Sequence, residues 1–328
     1  MRMHLVVDTD TAGDDVVSLL LALHTPGVDL HGITINVGNV DFDHQVENAL
    51  KTIEVSGRAG LVPVYAGART PLMRVWTSAA YVHGSDGMGD SHFPRVAQRP
   101  ESQHAVEFLL EASQRWAGSL VVVAQAPLTN LALAVRQDPE FASRIAKLWV
   151  MGGSVNGLGN VDPLSEYNFY VDPEAAHIVF SAGFNLYMVG WDLTLAAGVL
   201  TQDDLKQIRA MDTGLSRFFL QTQRKVLEFN ATQGILGTTH PDTLTMAMAL
   251  DESLWLEGKD YYVGIETKGE LTRGTSVVDR LNVWHRAPNA HVCLKADGAR
   301  FRERLMTLLR CESVVGPEWT SACDKAHD

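Results

Sequence analysis

Four aspartates lie within eight residues near the start of the chain: Asp8, Asp10, Asp14 and Asp15. They fall in the stretch LVVDTDTAGDDVVSLLLAL (residues 5–23), whose apolar flanks predict that the cluster is buried. Buried carboxylates repel one another, and they must either take up protons or share a cation. Calcium accepts about six to eight oxygen ligands, and magnesium also prefers oxygen. No His or Cys lies between Asp8 and Asp15, so zinc fits poorly and the sequence predicts a hard divalent cation.

Two other interpretations explain less of the cluster. Asp14 and Asp15 stand at a predicted helix start, where an acid stabilises the helix by about 0.3–1 kcal/mol. This accounts for one acid but not for four. An Asp-x-Asp pair after a strand also resembles the haloacid-dehalogenase-like phosphatases, in which the first Asp is a nucleophile and the second a proton donor. That motif continues with Thr or Val two residues after the second Asp, where this chain has Ala12.

Short apolar runs alternate with helical patterns along most of the chain. The runs predict strands at residues 4–7, 31–37, 120–124, 148–151, 186–189 and 291–295, and a hairpin or an added sheet segment at residues 261–278. The patterns predict helices at residues 15–23, 42–55 and 301–309, one capped by Ser102, one beginning at Pro127 and one beginning at Asp172-Pro173-Glu174. This alternation is typical of an α/β fold with an open, mainly parallel sheet and helices on both faces. We expect a single domain over residues 1–328, with inserted loops.

Polar residues follow several of the predicted strands. Asp8 and Asp10 come after the first strand, Asn39 after the second, Gln125 after the run LVVVA, and Asp192 after a later strand. Ligands bind beyond the carboxyl ends of the strands in such sheets. We therefore expect these side chains to converge on one crevice.

The string DTDTAGDD after a strand resembles the signature of the inosine–uridine-preferring nucleoside hydrolases. The resemblance continues along nearly the whole chain, with motifs in matching order and spacing. These motifs are GITINVGN ending at Asn39, VHGSDGMG at residues 82–89, APLTNLALA at residues 126–134, VMGG at residues 150–153, GN at residues 159–160, EYNFYVDPEAAHIVF from Glu166 and ELTRGTSVVD at residues 270–279. No single motif decides the matter, but together they are very specific.

The resemblance implies a Rossmann-like nucleoside hydrolase fold and hydrolysis of the N-glycosidic bond of a ribonucleoside to free ribose and base. It implies a tightly bound Ca²⁺ that holds the attacking water, with Asp10, Asp15, Asp242 and the backbone carbonyl of Gln125 as ligands. Asp10 would also accept the proton of the water, and Asp8 would orient the loop. The ribose pocket would be formed by Asp14, Asn39, Met151, Asn160, Glu166 and Asn168. The family also implies nucleoside salvage by a homodimer or homotetramer.

The chain departs from the family pattern beside Asp242. Many members carry His immediately before this aspartate, where it helps to protonate the leaving base. Here Pro241 takes that position and the histidine is displaced to His240. His240 could still reach the base by a different loop path, or it could be a solvated loop residue. His83 fits the family pattern better. It could contact the base, or it could be an ordinary loop histidine.

Other members stack a purine between aromatic rings, and Trp76, Trp191 and Phe229 are candidates for that role. Because a Trp is more often part of a core than a ligand platform, the sequence does not reveal the base preference. A catalytically weak nucleoside- or ribose-binding protein of the same fold is an alternative function, and the displaced histidine is its only support.

The composition excludes some partners. The net charge of −12 repels phosphate backbones, so we expect no nucleic-acid partner. No apolar run approaches the roughly 20 residues of a membrane helix, and we expect a cytoplasmic protein without a membrane partner. Cys293, Cys311 and Cys323 are widely spaced, so free thiols in a reducing compartment are expected.

Overall fold

The computed structural model describes residues 2–312, and its centre is an eight-stranded sheet. The strands within residues 2–312 are β1 (Met3–Thr9), β2 (Val28–Ile35), β3 (Val64–Ala66), β4 (Leu120–Ala124), β5 (Ile145–Met151), β6 (Leu186–Val189), β7 (Val199–Thr201), β8 (Gly237–Thr239), β9 (Trp255–Tyr261), β10 (Val263–Ile265), β11 (Ser276–Val278) and β12 (Ala290–Ala296). The central sheet has the order β3-β2-β1-β4-β5-β6-β12-β9, and only the edge strand β9 runs antiparallel to its neighbour. The prediction of a mainly parallel sheet is confirmed.

Fourteen α-helices connect these strands within the described residues. They are α1 (Gly13–His24), α2 (Phe42–Val55), α3 (Ala80–His83), α4 (Ala105–Arg115), α5 (Thr129–Gln137), α6 (Phe141–Arg144), α7 (Tyr167–Val171), α8 (Pro173–Phe180), α9 (Trp191–Ala197), α10 (Gln202–Met211), α11 (Gly214–Thr222), α12 (Arg224–Thr232), α13 (Pro241–Leu250) and α14 (Gly298–Leu309). Successive strand residues point to opposite faces, so Val6 and Val7 enter two different hydrophobic cores. One core holds α1, α2, α13 and α14, and the other holds α4, α5 and α8, so helices cover both faces as expected.

Several predicted boundaries are wrong. Strand β2 ends at Ile35 rather than continuing to residue 37, because the side chain of Asn36 bonds Asp8 and the backbone turns there. Helix α4 is capped by His104, whose Nδ1 accepts from the N–H of Val106, and not by Ser102. Glu101 is still paired with the edge of the sheet through Val64, which delays the helix start. Helix α5 begins at Thr129, two residues after Pro127.

Two local expectations hold. Asp172 caps α8 with Pro173 in its first turn, and β10 and β11 form the predicted antiparallel hairpin. Cys293 is a buried free thiol, whereas Cys323 lies outside the described residues. None of the helices described here is both long and apolar enough to span a bilayer. The single-domain assignment over residues 1–328 stays a prediction.

Candidate active site

Asp8 is a structural anchor at the carboxyl end of β1. Its side chain is fully buried and accepts hydrogen bonds from Thr34 Oγ1 at 2.6 Å, Asn130 Nδ2 at 2.8 Å and Asn36 Nδ2 at 3.1 Å. Burial raises the pKa of Asp8 to about 6, and the three hydrogen bonds act in the opposite direction. The carboxylate therefore joins β1, β2 and α5, and both of its oxygens accept hydrogen bonds.

Asp10 lies in the loop after β1 and has one committed and one free oxygen. Its Oδ2 accepts the backbone N–H of Asn39 at 2.8 Å, whereas Oδ1 is buried without a hydrogen-bond partner. Burial, and then the negative charge of Asp15, raise the pKa of Asp10 well above its usual value. A Cβ on Gly38 would lie only 1.8 Å from Asp10 Oδ2, so glycine is required for this close approach.

Asp14, Asp15 and Asp242 bring carboxylate oxygens within 4.8 Å of one another. Asp14 and Asp15 occupy the first turn of α1, and Asp242 occupies the first turn of α13. Burial is the largest cause that raises the pKa of each group, to about 6 for Asp14 and well above the usual value for the other two. Burial and the mutual repulsion of the carboxylates therefore favour the protonated forms unless a cation binds among them.

The cluster has the donors that a hard divalent cation requires. Asp15 is oriented by Thr9 Oγ1, which donates to Oδ1 at 2.6 Å, and by the N–H of Ala12. Asp242 Oδ1 is buried and unpartnered, as is Asp10 Oδ1. Carboxylate oxygens that lack a hydrogen-bond partner are available as metal ligands, and a group of them fits calcium or magnesium. The tightest group contains Asp14, which the family resemblance assigns to ribose, and does not contain Asp10.

Gln125 connects the end of β4 to the same cluster. Its Nε2 donates to the backbone carbonyl of Asp242 at 2.6 Å and lies 2.7 Å from Ser18 Oγ. Its Oε1 accepts from Ser18 Oγ at 2.9 Å. The side chain thus fixes α13 and α1 relative to the sheet, and the backbone carbonyl of Gln125 is the group left for a ligand.

A cavity of about 500 Å³ opens beside the cluster at the carboxyl ends of the strands. Its lining includes nine of the predicted site residues: Asp14, Asn39, His83, Gln125, Met151, Asn160, Glu166, Asn168 and Asp242. Asp10 and Asp15 are not part of the lining, but both form hydrogen bonds with Asn39, and Asn39 lines the cavity. The structure therefore brings the predicted residues of several loops together, with the exception of His240.

Glu166, Asn160 and Asn168 form a connected polar wall of the cavity. Glu166 caps α7 and accepts from the N–H groups of Asn168 at 2.8 Å and Gly153 at 2.9 Å, and burial raises its pKa to about 7. Asn168 Nδ2 donates to the carbonyl of Met151 at 3.1 Å. The expectation that Glu166 and Asn168 share a face of an extended segment is wrong, because Asn168 already lies in the first turn of a helix.

The two candidate histidines differ in their positions. His83 lies against the turn at Gly13 and lines the cavity, and burial lowers its pKa to about 4. His240 is fully buried, lies 2.8 Å from Thr238 Oγ1 and stacks on Phe219. Its burial shows that the solvated-loop alternative is wrong, and His240 is not part of the cavity lining. The N–H of His240 bonds the carbonyl of Gly198, which holds the residue next to β7.

Aromatic residues line another part of the cavity. Trp191 and Phe229 are part of the lining, whereas Trp76 is not and donates from Nε1 to the carbonyl of Gly38 at 2.6 Å. The sequence analysis missed Tyr81, which packs edge-on against Phe229 with ring centroids 5.5 Å apart. It also missed Gln233, which lines the cavity from the end of α12. Tyr81 directly precedes the VHG motif, and this is the only signal that pointed to it.

Comparisons with known proteins agree with this geometry. The chain matches the family model described as inosine-uridine preferring nucleoside hydrolase over residues 5–303. It is 34% identical over 312 residues to the pyrimidine-specific ribonucleoside hydrolase RihA of Escherichia coli O9:H4, covering 94% of this chain and 99% of that relative. A solved plant nucleoside hydrolase is similar with a TM-score of 0.88 and 29% identity, covering 95% of this chain and 100% of that chain. A purine-preferring ribonucleoside hydrolase from Gardnerella vaginalis is similar with a TM-score of 0.87 and 30% identity, covering 94% and 98%.

Proposed function

Because the chain belongs to the inosine-uridine preferring nucleoside hydrolase family and is an N-ribohydrolase, we propose that it cleaves its ribonucleoside with the aid of a calcium ion and Asp10 as the base. The observation that carries this proposal is the buried acidic cluster with two unpartnered carboxylate oxygens at the edge of the cavity. The relatives include enzymes named for pyrimidines and for purines, so they leave the base preference open.

Asp10, Asp15, Asp242 and the backbone carbonyl of Gln125 are the proposed ligands, and the proximity of Asp14 to two of them supports it as a further contact. When bound, a calcium ion would orient a water molecule and make it more acidic. The buried carboxylates support this assignment, since their mutual repulsion is relieved by a cation.

Asp10 is the proposed proton acceptor. Its Oδ2 is fixed by the N–H of Asn39, which leaves Oδ1 to receive a proton from the attacking water. Burial raises the pKa of Asp10 above its usual value, which makes the carboxylate a stronger base.

The ribose is proposed to lie between Asp14, Asn39, Met151, Asn160, Glu166 and Asn168. Cleavage of a glycosidic bond develops positive charge on the sugar, as in other glycoside hydrolases. Carboxylate and amide oxygens held by backbone hydrogen bonds, such as those of Glu166, favour that charge without having to reorganise.

The phosphatase alternative requires Asp8 as a nucleophile, and the three hydrogen bonds to its buried carboxylate argue against it. A catalytically weak binding protein would bind nucleosides without turnover. Cytoplasmic nucleoside salvage by a homodimer or homotetramer stays a prediction.

Release of free ribose tests the proposal. The purified chain is incubated with calcium and with inosine, adenosine, guanosine, uridine or cytidine, with and without a chelator. We expect calcium-dependent ribose release from at least one of these nucleosides. Binding without release would favour the binding-protein alternative, and release that is insensitive to the chelator would overturn the calcium assignment.

A further inference from the structure

Among the described residues, the ionisable side chains that line the cavity include several carboxyl groups and no Lys or Arg. Four carboxyl groups line it: Asp14, Glu166, Asp242 and Asp162. Asp10 and Asp15 add two more directly behind Asn39. The cavity is therefore suited to a ligand that carries positive charge.

Asp162 is held in place by the backbone. Its Oδ1 accepts from the N–H groups of Leu164 at 2.8 Å and Ser165 at 2.7 Å, and it lies in the loop that carries Asn160. These bonds fix the carboxylate at the cavity without a cationic partner among the ion pairs of residues 2–312. Because Asp162 is not part of the acidic cluster, its charge remains when that cluster binds a metal ion.

Aromatic rings supply a second feature that favours a cation. Tyr81, Trp191 and Phe229 line the cavity together with apolar side chains of Leu158, Leu195 and Ile235. The face of an aromatic ring attracts a cationic group, and the attraction is stronger when water is excluded. A flat, positively charged base would therefore be favoured over a neutral one of the same shape.

Neither candidate histidine is a suitable acid for the leaving base. A neutral base must gain a proton as the bond to ribose breaks, and general acid catalysis contributes about 10²–10⁴-fold. His240 does not line the cavity, and burial lowers the pKa of His83 to about 4, so this imidazole is neutral at pH 7. Burial raises the pKa of Tyr81 above its usual value, and the hydroxyl of Tyr167 already donates to the carbonyl of Thr77 at 2.6 Å.

We propose that the preferred substrate is a ribonucleoside whose base carries a permanent positive charge, such as an N-ribosylpyridinium or an N-methylated purine riboside. This inference rests on the proposed function. When the C1′–N bond breaks, its electron pair moves to the cationic nitrogen and the base leaves as a neutral molecule. The water oxygen forms the new bond to C1′, and the proton that it loses passes to Asp10 and then to solvent. No proton has to be delivered to the base.

Two matched comparisons test the inference, with ribose release measured at pH 6.5 in the presence of calcium. The first compares nicotinamide riboside, which is cationic, with neutral uridine. The second compares cationic 7-methylguanosine with guanosine, and these two differ only in the methyl group and the charge. We expect kcat/KM to be at least about tenfold higher for the cationic member of one or both pairs. A preference in the first pair would identify an N-ribosylpyridinium as the substrate class, and a preference in the second pair would identify an N-methylated purine riboside. A ratio below tenfold in both pairs overturns the inference.

A nucleoside with a cationic base is also intrinsically easier to hydrolyse. Variants therefore test whether the protein itself recognises the charge. Asp162→Asn keeps an oxygen acceptor for Leu164 and Ser165 but removes the charge, and Phe229→Leu removes an aromatic face. We expect each variant to reduce the preference for the cationic substrate by about two- to fivefold. A preference that is unchanged in both variants would come from the substrate alone and would overturn the inference. Calcium-dependent release from uridine or guanosine without a cationic preference leaves the proposed function intact. No release from any of the four substrates overturns the inference, and it removes the proposed function only if inosine, adenosine and cytidine also release no ribose.

Discussion

The backbone N–H of Asp242 donates to Asp14 Oδ2 at 2.8 Å, across 228 residues of sequence. This bond joins the first turn of α13 to the first turn of α1, so that both helix starts face the same point. The positive ends of the two helix dipoles and the buried carboxylates thus meet at one place. Both the acidic cluster and the adjacent cavity depend on this contact.

Replacing Asp10 tests the proposed base. Asp10→Asn keeps an oxygen that can accept the N–H of Asn39 but cannot take up a proton in the same way. We expect kcat to fall by about 10²–10⁴-fold while the melting temperature stays close to that of the parent chain. The matched control is Asp203→Asn on the exposed face of α10, for which we expect the parent rate. Near-normal turnover by Asp10→Asn would show that another group accepts the proton.

Asn168 is predicted to contact the ribose. Asn168→Ala removes an amide that is held by the carbonyl of Met151, and we expect kcat/KM to fall about tenfold or more, with KM raised. The control is Asn185→Ala, which removes a similar amide bond to Ala146 far from the cavity. Steady-state kinetics with one ribonucleoside suffice, and equal effects of the two variants would remove Asn168 from the site.

Calcium is expected to stabilise the protein more at high pH than at low pH. The pKa of Asp14 is raised to about 6, and those of Asp15 and Asp242 are raised well above their usual value. A carboxyl group with a raised pKa keeps its proton in the folded state after the unfolded chain has released it. Its contribution to stability is therefore complete below the ordinary value of 3.8 and is lost as the pH rises through the folded value.

Thermal unfolding between pH 5 and pH 8 measures this effect. With a chelator, we expect the melting temperature to fall as the pH rises. Added calcium should reverse the fall, and a concentration 100 times the dissociation constant corresponds to about 2.7 kcal/mol. A calcium effect that is the same at every pH would mean that the ion does not replace protons on this cluster.

His240 is predicted to support the fold rather than the chemistry. His240→Phe keeps a ring that can stack on Phe219 but loses the contact with Thr238, so we expect a loss of about 1 kcal/mol in the free energy of unfolding. Because His240 does not line the cavity, kcat should stay within about threefold of the parent value. A loss of 10²-fold with an intact fold would return His240 to a role in protonating the leaving base.

The sequence predicted the α/β architecture and the convergence of several loops, because both depend on local patterns. Apolar runs such as LVVVA mark buried strands, and polar residues such as Asn39 and Gln125 follow them directly. The orientation of His240 could not be predicted, since it is set by Gly198, Thr238 and Phe219 on other elements.

The helical position of Asn168 and the contribution of Tyr81 to the cavity also depend on tertiary structure. Glu166 caps α7 by accepting from the N–H groups of Asn168 and Phe169, and Gly153 adds a further N–H to its carboxylate from another loop. Tyr81 reaches the cavity because α3 packs against Phe229 of α12. Neither contact leaves a pattern in the local sequence.

The central claim is that a divalent cation bound by the acidic cluster is required for turnover. The most direct measurement is a titration of calcium into chelator-treated protein, with bound calcium and the rate of ribose release recorded in the same samples. The account predicts almost no release without metal and a rate that rises in proportion to the binding of one ion per chain. Full activity in metal-free protein, or calcium binding that leaves the rate unchanged, would contradict it.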